Sequence, residues 1–173
     1  MQKITPFLWF DGKAAEAINF YASIVKNSKV TNIKHWGENS PFPGNQVMTG
    51  IVELDGIQFY AFDAGPVFKF TEAISFYVNC KDQQEVDYFW EKLLEGGEES
   101  MCGWLKDKFG VTWQINPEGL PDLMNSPDPE KAQLVMGALM KMRKSLSRTC
   151  SIPMMQPERD KVCNFKCRLI LRQ

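Results

Sequence analysis

An internal repeat runs through the first two thirds of this 173-residue chain. A strand-like end at Leu8–Phe10 is followed by apolar residues at helical spacing up to Val25, and the segment from Phe76 to Leu94 has the same order. An offset of 68 positions pairs Phe10 with Val78, Lys13 with Lys81, Ile18 with Val86, Phe20 with Tyr88, and Tyr21 with Phe89. A repeated strand–helix unit predicts two copies of one supersecondary structure.

Strand-like segments follow each predicted helix. In the first copy they span 29–36, 46–54 and 57–62, and the Asp55-Gly56 pair between the last two favours a tight hairpin. In the second copy they span roughly 100–106 and 111–116. We therefore predict an α+β fold in which two tandem βαβββ modules, residues 3–66 and 70–117, form a curved, largely antiparallel sheet with a concave pocket.

Residue parity divides these strands into two faces, because successive side chains on a strand point in opposite directions. One parity is wholly apolar and predicts the face under the helices. Its members are Leu8, Phe10, Ile57, Phe59, Ile74, Phe76, Val78, Val111, Trp113 and Ile115. The other parity mixes aromatic and amide side chains, which suits a pocket for a small organic molecule. A solvated face, or one buried against a second subunit, is the alternative.

The C-terminal third differs from the repeats. Asp128 and Pro129 begin a predicted helix that extends to about Lys144, within a helical segment at 118–145, and its apolar stripe predicts core packing or a subunit contact. Residues 146–173 form an atypical basic tail that contains three of the five cysteines. Its stretch from Phe165 to Leu171 alternates like a strand. We expect residues 1–145 to be the folded domain.

Composition excludes several classes of protein. A net charge of −1 and a pI near 5.9 favour neither nucleic acid nor an acidic membrane surface. No apolar run is long enough to cross a membrane, and no leader pattern is visible, so we expect a cytoplasmic protein. Five cysteines without a Cys-x-x-Cys pair, together with the single histidine, His35, predict reduced thiols and no zinc site.

Two stretches carry a resemblance to a known family. They are Phe7-Leu8-Trp9-Phe10-Asp11-Gly12, followed by the alanines and aromatics of the first helix, and the segment from Cys102 to Gln114. The chain resembles the PhnB-like branch of the glyoxalase/bleomycin-resistance (vicinal oxygen chelate) superfamily, often labelled 3-demethylubiquinone-9 3-methyltransferase, from about Ile4 to Lys144. The resemblance implies that the concave side of the sheet binds the ligand. The implied ligand-binding residues are Thr5, Phe7, Trp9, Tyr60, Phe62, Ser75, Tyr77, Thr112 and Gln114.

Metal-using relatives supply four ligands from these strands, and the resemblance maps them to Thr5, Tyr60, Ala73 and Gln114. None of the four is His, Asp or Glu, the ligand types that an open catalytic metal site needs. We therefore predict no metal and no cofactor. The isomerisation, ring-cleavage and thiol-addition reactions of the superfamily all need the metal, so they are not expected here.

The family label raises the question of catalysis. A methyltransferase of the usual kind needs a glycine-rich turn after a strand, and no Gly-x-Gly lies at such a junction. Two residues are catalytic candidates. Asp63 could act as a base or be a turn aspartate, and Lys106 could contact an anion or be a surface lysine. Whether the chain is an enzyme stays open.

Three functional hypotheses follow. The first is a metal-independent small-molecule-binding protein, with or without catalysis. The second is a methyltransferase acting on a quinone-like aromatic compound, as the family label says. The third is a structural module whose concave face serves dimerisation. Because exposed edge strands need cover and relatives pair modules across subunits, we expect a homodimer.

Overall fold

The computed structural model of the protein describes residues 2–145. The elements, in chain order, are β1 (Phe7–Phe10), α1 (Ala14–Ile24), β2 (Lys29–His35), β3 (Val47–Leu54), β4 (Ile57–Asp63), β5 (Phe76–Cys80), α2 (Gln83–Leu94), β6 (Glu98–Glu99), β7 (Trp104–Lys106), β8 (Thr112–Pro117), α3 (Leu120–Met124) and α4 (Pro129–Leu139). The predicted α+β class is confirmed, since both halves run strand, helix and three strands.

Local sequence explains why these elements form. In α1 the buried positions are Ala14, Ala17, Ile18, Tyr21 and Ile24, which recur at helical spacing and make one apolar face. Helix α2 begins at a capping aspartate, whose carboxylate accepts the third backbone N–H of the helix at 2.9 Å. The hairpin between β3 and β4 turns on a residue pair with positive φ at both positions, which matches the twist of the flanking strands.

The strands pair into two four-stranded sheets, one from each half of the chain. The first sheet has the order β1-β4-β3-β2 and the second has the order β5-β8-β7-β6. In each sheet the first and last strands of the module are parallel and the other pairs are antiparallel. We call β1–β4 with α1 module one, and β5–β8 with α2 module two. Within the described residues, no ladder joins the two sheets.

Both modules contribute to one apolar core. The Phe59 and Phe76 rings meet across the module boundary with centroids 5.1 Å apart, and Tyr21 of α1 packs on Trp113 of β8 at 5.3 Å. The predicted core parity is confirmed for most of its members. It is wrong for Ile57 and Ile74, which are 54% and 76% exposed. Ile57 is the first residue of β4, beside the hairpin turn, and Ile74 lies in a bend before β5, so both lie at the margins of their sheets.

Two boundaries in the second half differ from the predictions. Of the strand predicted at 100–106, only Trp104–Lys106 is a strand, β7, because a turn with positive φ at Cys102 and Gly103 precedes it, and β6 lies before the predicted segment. Helix α4 ends at Leu139, short of the predicted Lys144, because the chain then turns back. The carbonyl oxygens of Met142 and Arg143 accept hydrogen bonds from the Cys102 and Gly103 N–H groups at 2.8 and 2.6 Å.

No helix among residues 2–145 is long and apolar enough to cross a membrane. The strand predicted at 165–171 lies outside the described residues.

Candidate functional site

An aromatic wall covers the outward face of module one. The parallel register of β1 and β4 places Phe7 beside Tyr60 and Trp9 beside Phe62. Their rings meet edge to face, with centroids 5.9 Å apart for Phe7 and Tyr60 and 4.7 Å apart for Trp9 and Phe62. The Trp9 indole N–H donates to a backbone carbonyl at 2.8 Å, and the Phe7 side chain is 57% exposed. The wall is therefore rigid, apolar and open.

A more polar set lies on the outward face of module two. The Gln114 amide donates to the Ser75 hydroxyl at 2.7 Å. Thr112, two positions before Gln114 on β8, is only 3% exposed, and its hydroxyl has no hydrogen-bond partner among residues 2–145. Tyr77 on the neighbouring strand β5 is half-exposed. This face can donate and accept hydrogen bonds, whereas the aromatic wall of module one offers few hydrogen-bonding groups.

The two faces point away from each other. Phe59 and Phe76 meet at the module boundary, and neighbouring residues on a strand point to opposite sides, so Tyr60 and Tyr77 lie on the sheet faces opposite to that contact, Tyr77 at the sheet edge where it also borders the groove between the modules. The structure therefore divides the nine predicted ligand-binding residues into two sets. Module one carries Thr5, Phe7, Trp9, Tyr60 and Phe62, and module two carries Ser75, Tyr77, Thr112 and Gln114. Their part in ligand binding stays a prediction.

Asp63 has a structural role, because its carboxylate accepts hydrogen bonds from backbone N–H groups. It is 2% exposed, and its two carboxylate oxygens accept from the Ala14 N–H at 3.0 Å and the Val47 N–H at 2.8 Å. The carboxylate thus ties the first turn of α1 to the start of β3, near the positive end of the helix dipole. Its parity is that of Phe59 and the core, so it lies away from the open face, and a role as a base has no geometric support.

Lys106 is held by an ion pair. Its ammonium contacts the carboxylate of Glu72, which lies in the segment between the modules. That hydrogen bond is the main cause that raises the pKa of Lys106 above its usual value, and it lowers the pKa of Glu72. A lysine whose charged form is stabilised is a poor base at neutral pH, but it can bind an anion.

Asp107 is the residue whose importance the sequence does not reveal. Its backbone carbonyl closes the turn to Gly110, and its side chain is buried. The carboxylate accepts from the Tyr21 hydroxyl and the Trp113 indole N–H, both at 2.8 Å, and from two turn N–H groups. Burial raises the pKa of Asp107 and outweighs these hydrogen bonds, which lower it. The network joins α1 of module one to module two.

The four positions that carry the metal in relatives do not fit a metal ion here. Tyr60 and Gln114 lie on β4 and β8, whereas Thr5 precedes β1 and Ala73 lies in an exposed turn and has no donor atom. Across residues 2–145, no group of three or more His, Cys, Asp or Glu side chains could hold a metal ion. The chemistry of these side chains therefore gives no basis for a metal-dependent step.

A separate cavity lies between the two modules. A groove of about 860 Å³ separates the end of α1 and the β3–β4 hairpin from β5 and α2. Its floor is formed by side chains of the core face, including Phe59, Phe76 and Trp113. Of the predicted ligand-binding residues, only Tyr77 lines the groove. Four of its polar side chains already have partners, since Asp82 and Glu85 cap the start of α2 and Asn27 pairs with Asp55 at the hairpin.

Comparison with known proteins identifies relatives. The pattern of the 3-demethylubiquinone-9 3-methyltransferase family matches residues 2–116. The PhnB protein from Bacillus cereus is 39% identical, and the alignment covers 65% of this chain and 97% of that one with a TM-score of 0.63. A protein from Pseudomonas aeruginosa is 24% identical over 68% and 98% of the two chains, with a TM-score of 0.59. The fosfomycin resistance protein FosX from Mesorhizobium loti is 10% identical over 65% and 90%, with a TM-score of 0.45. No curated protein matches significantly.

Proposed function

Because the chain belongs to the PhnB-like 3-demethylubiquinone-9 3-methyltransferase family of the glyoxalase/bleomycin-resistance superfamily, we propose that it is a metal-independent protein that binds a small organic molecule. The observation that carries the proposal is the aromatic wall of Phe7, Trp9, Tyr60 and Phe62, together with Phe68, whose ring lies 4.8 Å from that of Trp9. Ordered, half-open aromatic rings favour a flat, largely apolar ligand, since such a patch is costly to leave in water.

We further propose that the binding protein is a homodimer. The wall continues into the exposed Val67 and Phe68, and Ile4 beyond it is exposed as well. A second copy that places the polar face of its module two over this wall would complete a pocket with one apolar and one hydrogen-bonding side. Light scattering at high protein concentration should give twice the chain mass, and a strictly monomeric mass would refute this arrangement.

Ligand titrations separate the aromatic wall from the other cavity. A panel of small aromatic compounds should bind, as seen by perturbed tryptophan fluorescence or NMR shifts. Phe7→Ala should weaken the best binder about two- to tenfold, because an aromatic contact contributes about 0.5–1.5 kcal/mol. Ile57→Ala is the matched control, since Ile57 is equally exposed but lines the groove between the modules. Loss of binding with Ile57→Ala alone would move the site to that groove.

Metal independence is tested on the same titration. The best binder should keep its affinity after dialysis against a strong chelator, and elemental analysis should find no stoichiometric divalent metal. About one zinc, nickel, manganese or iron per chain would contradict the proposal. If no aromatic compound binds at millimolar concentration, the wall serves assembly alone, which is the structural alternative.

Methyl transfer to a quinone-like aromatic compound is the alternative that the family name favours. A methyl donor would need a pocket at a strand–helix junction. The β1–α1 junction has the single glycine of Asp11-Gly12-Lys13, and β5 leads to α2 without a glycine. Since these residues do not fit the usual donor site, we derive no transfer step. Incubation with S-adenosylmethionine and a catechol, followed by mass spectrometry, tests it.

A further inference from the structure

A lysine and a buried hydroxyl share the outward face of module two. In the antiparallel register of β7 and β8, Lys106 lies directly opposite Thr112, so their side chains are neighbours on one face. The next residue of that face along β8 is Gln114, which is hydrogen-bonded to Ser75. Lys106 is thus a cation placed on the face that the proposed function assigns to the ligand.

The Thr112 hydroxyl is unpaired within the described part of the chain. It is almost fully buried, yet no acceptor or donor among residues 2–145 reaches it. A buried polar group without a partner is unfavourable, and native proteins contain few of them. A ligand oxygen placed beside Lys106 could accept a hydrogen bond from this hydroxyl and so relieve its isolation.

Glu72 supplies a carboxylate of the chain itself at this position. Its carboxylate contacts the Lys106 ammonium, although both side chains remain partly exposed. Exposed ion pairs contribute little to stability, so an incoming carboxylate can replace Glu72 at small cost. Glu72 therefore already places a carboxylate beside Lys106, and a carboxylate is the chemical group that this face is suited to bind.

We propose that Lys106 and Thr112 form a subsite for a carboxylate of the ligand, and that Glu72 occupies this subsite when the ligand is absent. The ammonium supplies the charge and the hydroxyl donates the second hydrogen bond once Glu72 has moved. Together with the aromatic wall of a second copy, which the proposed homodimer places over this face, the subsite selects an aromatic carboxylate rather than a neutral aromatic compound. This inference rests on the proposed function, and it adds the class of ligand.

A pair of matched probes tests the subsite. We compare 2-naphthoate with the neutral 2-naphthamide by calorimetric or NMR titration at constant ionic strength. The wild-type protein should prefer the carboxylate. Lys106→Gln should lower naphthoate affinity about tenfold, since hydrogen bonds to charged groups are the strong ones, and should leave naphthamide affinity unchanged. Glu72→Gln should raise naphthoate affinity several-fold, because the competing carboxylate is removed.

Two further variants keep the result interpretable. Thr112→Val should weaken naphthoate binding while leaving the melting temperature equal or higher, because it removes an unpaired buried hydroxyl. Lys108→Gln is the matched control, since Lys108 also pairs with a glutamate, Glu16, but lies outside this face, and it should change neither affinity. Equal binding of both probes to all variants would overturn the subsite and leave the proposed function standing. No binding of either probe would overturn both.

Discussion

Trp113 and Gln114 are neighbours on β8 with different surroundings. Trp113 is buried against Tyr21 and donates its indole N–H to Asp107, whereas Gln114 is half-buried on the outward face and bonded to Ser75. The alternation of side chains along a strand produces this contrast within one step of the chain. Substitutions at the two positions should therefore separate stability from binding.

We expect Trp113→Ala to lower the free energy of unfolding by about 3–5 kcal/mol, the range for a large aromatic side chain removed from a packed core. Gln114→Ala should cost about 0.5–1.5 kcal/mol, since it removes one hydrogen bond between neutral groups. Urea denaturation of both variants checks the difference. Equal losses would show that the outward face is packed like the core, and the ligand site would lose its basis.

Cys80 gives a prediction about pH. Burial, and to a lesser extent the nearby carboxylates of Glu85 and Asp82, raises the pKa of the thiol to about 12. The folded state thus binds this proton more tightly than the unfolded chain, in which the pKa of the thiol is about 8.5. The contribution of the protonated thiol to the free energy of unfolding is fully present below that pH and is lost as the pH rises toward 12. Relative to Cys80→Ala, the wild-type protein should lose about 1–2 kcal/mol between pH 7 and 10. Parallel pH curves for the two proteins would contradict this.

Single residues also show where sequence reasoning stops. The parity of β1, β4, β5 and β8 is visible in the sequence, and it places Trp9 and Gln114 on one kind of face and Trp113 on the other. Parity also predicts that the Asp63 side chain points into the core, because Asp63 is two positions from Ala61 and four from Phe59. Nothing local distinguishes Asp107 from an ordinary turn aspartate, since two of its four partners, Tyr21 and Trp113, are brought to it only by tertiary packing.

The helices and long strands follow from periodicity, whereas the short elements depend on contacts. Helices α1 and α2 end at Ile24 and Leu94, within one residue of the predicted Val25 and Leu94, because apolar spacing is local. Strand β6 consists of two glutamates, which have no strand preference, and its position is fixed by the close approach of Gly97 to the Lys106 backbone. Helix α4 ends early because its following segment bonds to the turn at Cys102–Gly103.

That segment makes the truncation point critical. Deleting residues 146–173 should leave a folded protein, because the described core is complete at Ser145. Deleting 140–173 should destabilise it, since it removes the Met142 and Arg143 carbonyl partners of the turn and the buried Ser145 that contacts Asn116. Two lost hydrogen bonds, together with an Asn116 side chain left without its partner, amount to about 2–6 kcal/mol. Thermal melts of both truncations decide, and similar melting temperatures would show that the return segment contributes little.

The arrangement of the two modules was the part of the fold that the repeat alone did not predict. Two βαβββ units can join with their outward faces together or apart, and the strand pattern is the same in both cases. The side chains that decide it, Phe59, Phe76 and the Tyr21–Asp107 pair, lie on the core face and join the modules there. A pocket that combines the two outward faces therefore requires a second copy of the chain. Without a second copy, the ligand would bind to one face that stays open to solvent.

Asp107 provides the test of how firmly the modules are joined. Asp107→Asn replaces two accepting oxygens by one, and its amide N–H groups would face donors, so we expect a loss of about 3–5 kcal/mol, as for a broken buried charged network. Tyr21→Phe removes only one of the four donors and should cost about 1.5–3 kcal/mol. In a double-mutant cycle the two losses should be less than additive, because the Tyr21 hydroxyl bonds directly to the carboxylate. Unfolding followed by circular dichroism and by tryptophan fluorescence should stay coincident in each variant, since the aromatic contacts across the boundary remain. Additive losses would show that the Tyr21–Asp107 bond does not couple the two residues, whereas a separate transition for one module would show that the modules are independent folding units.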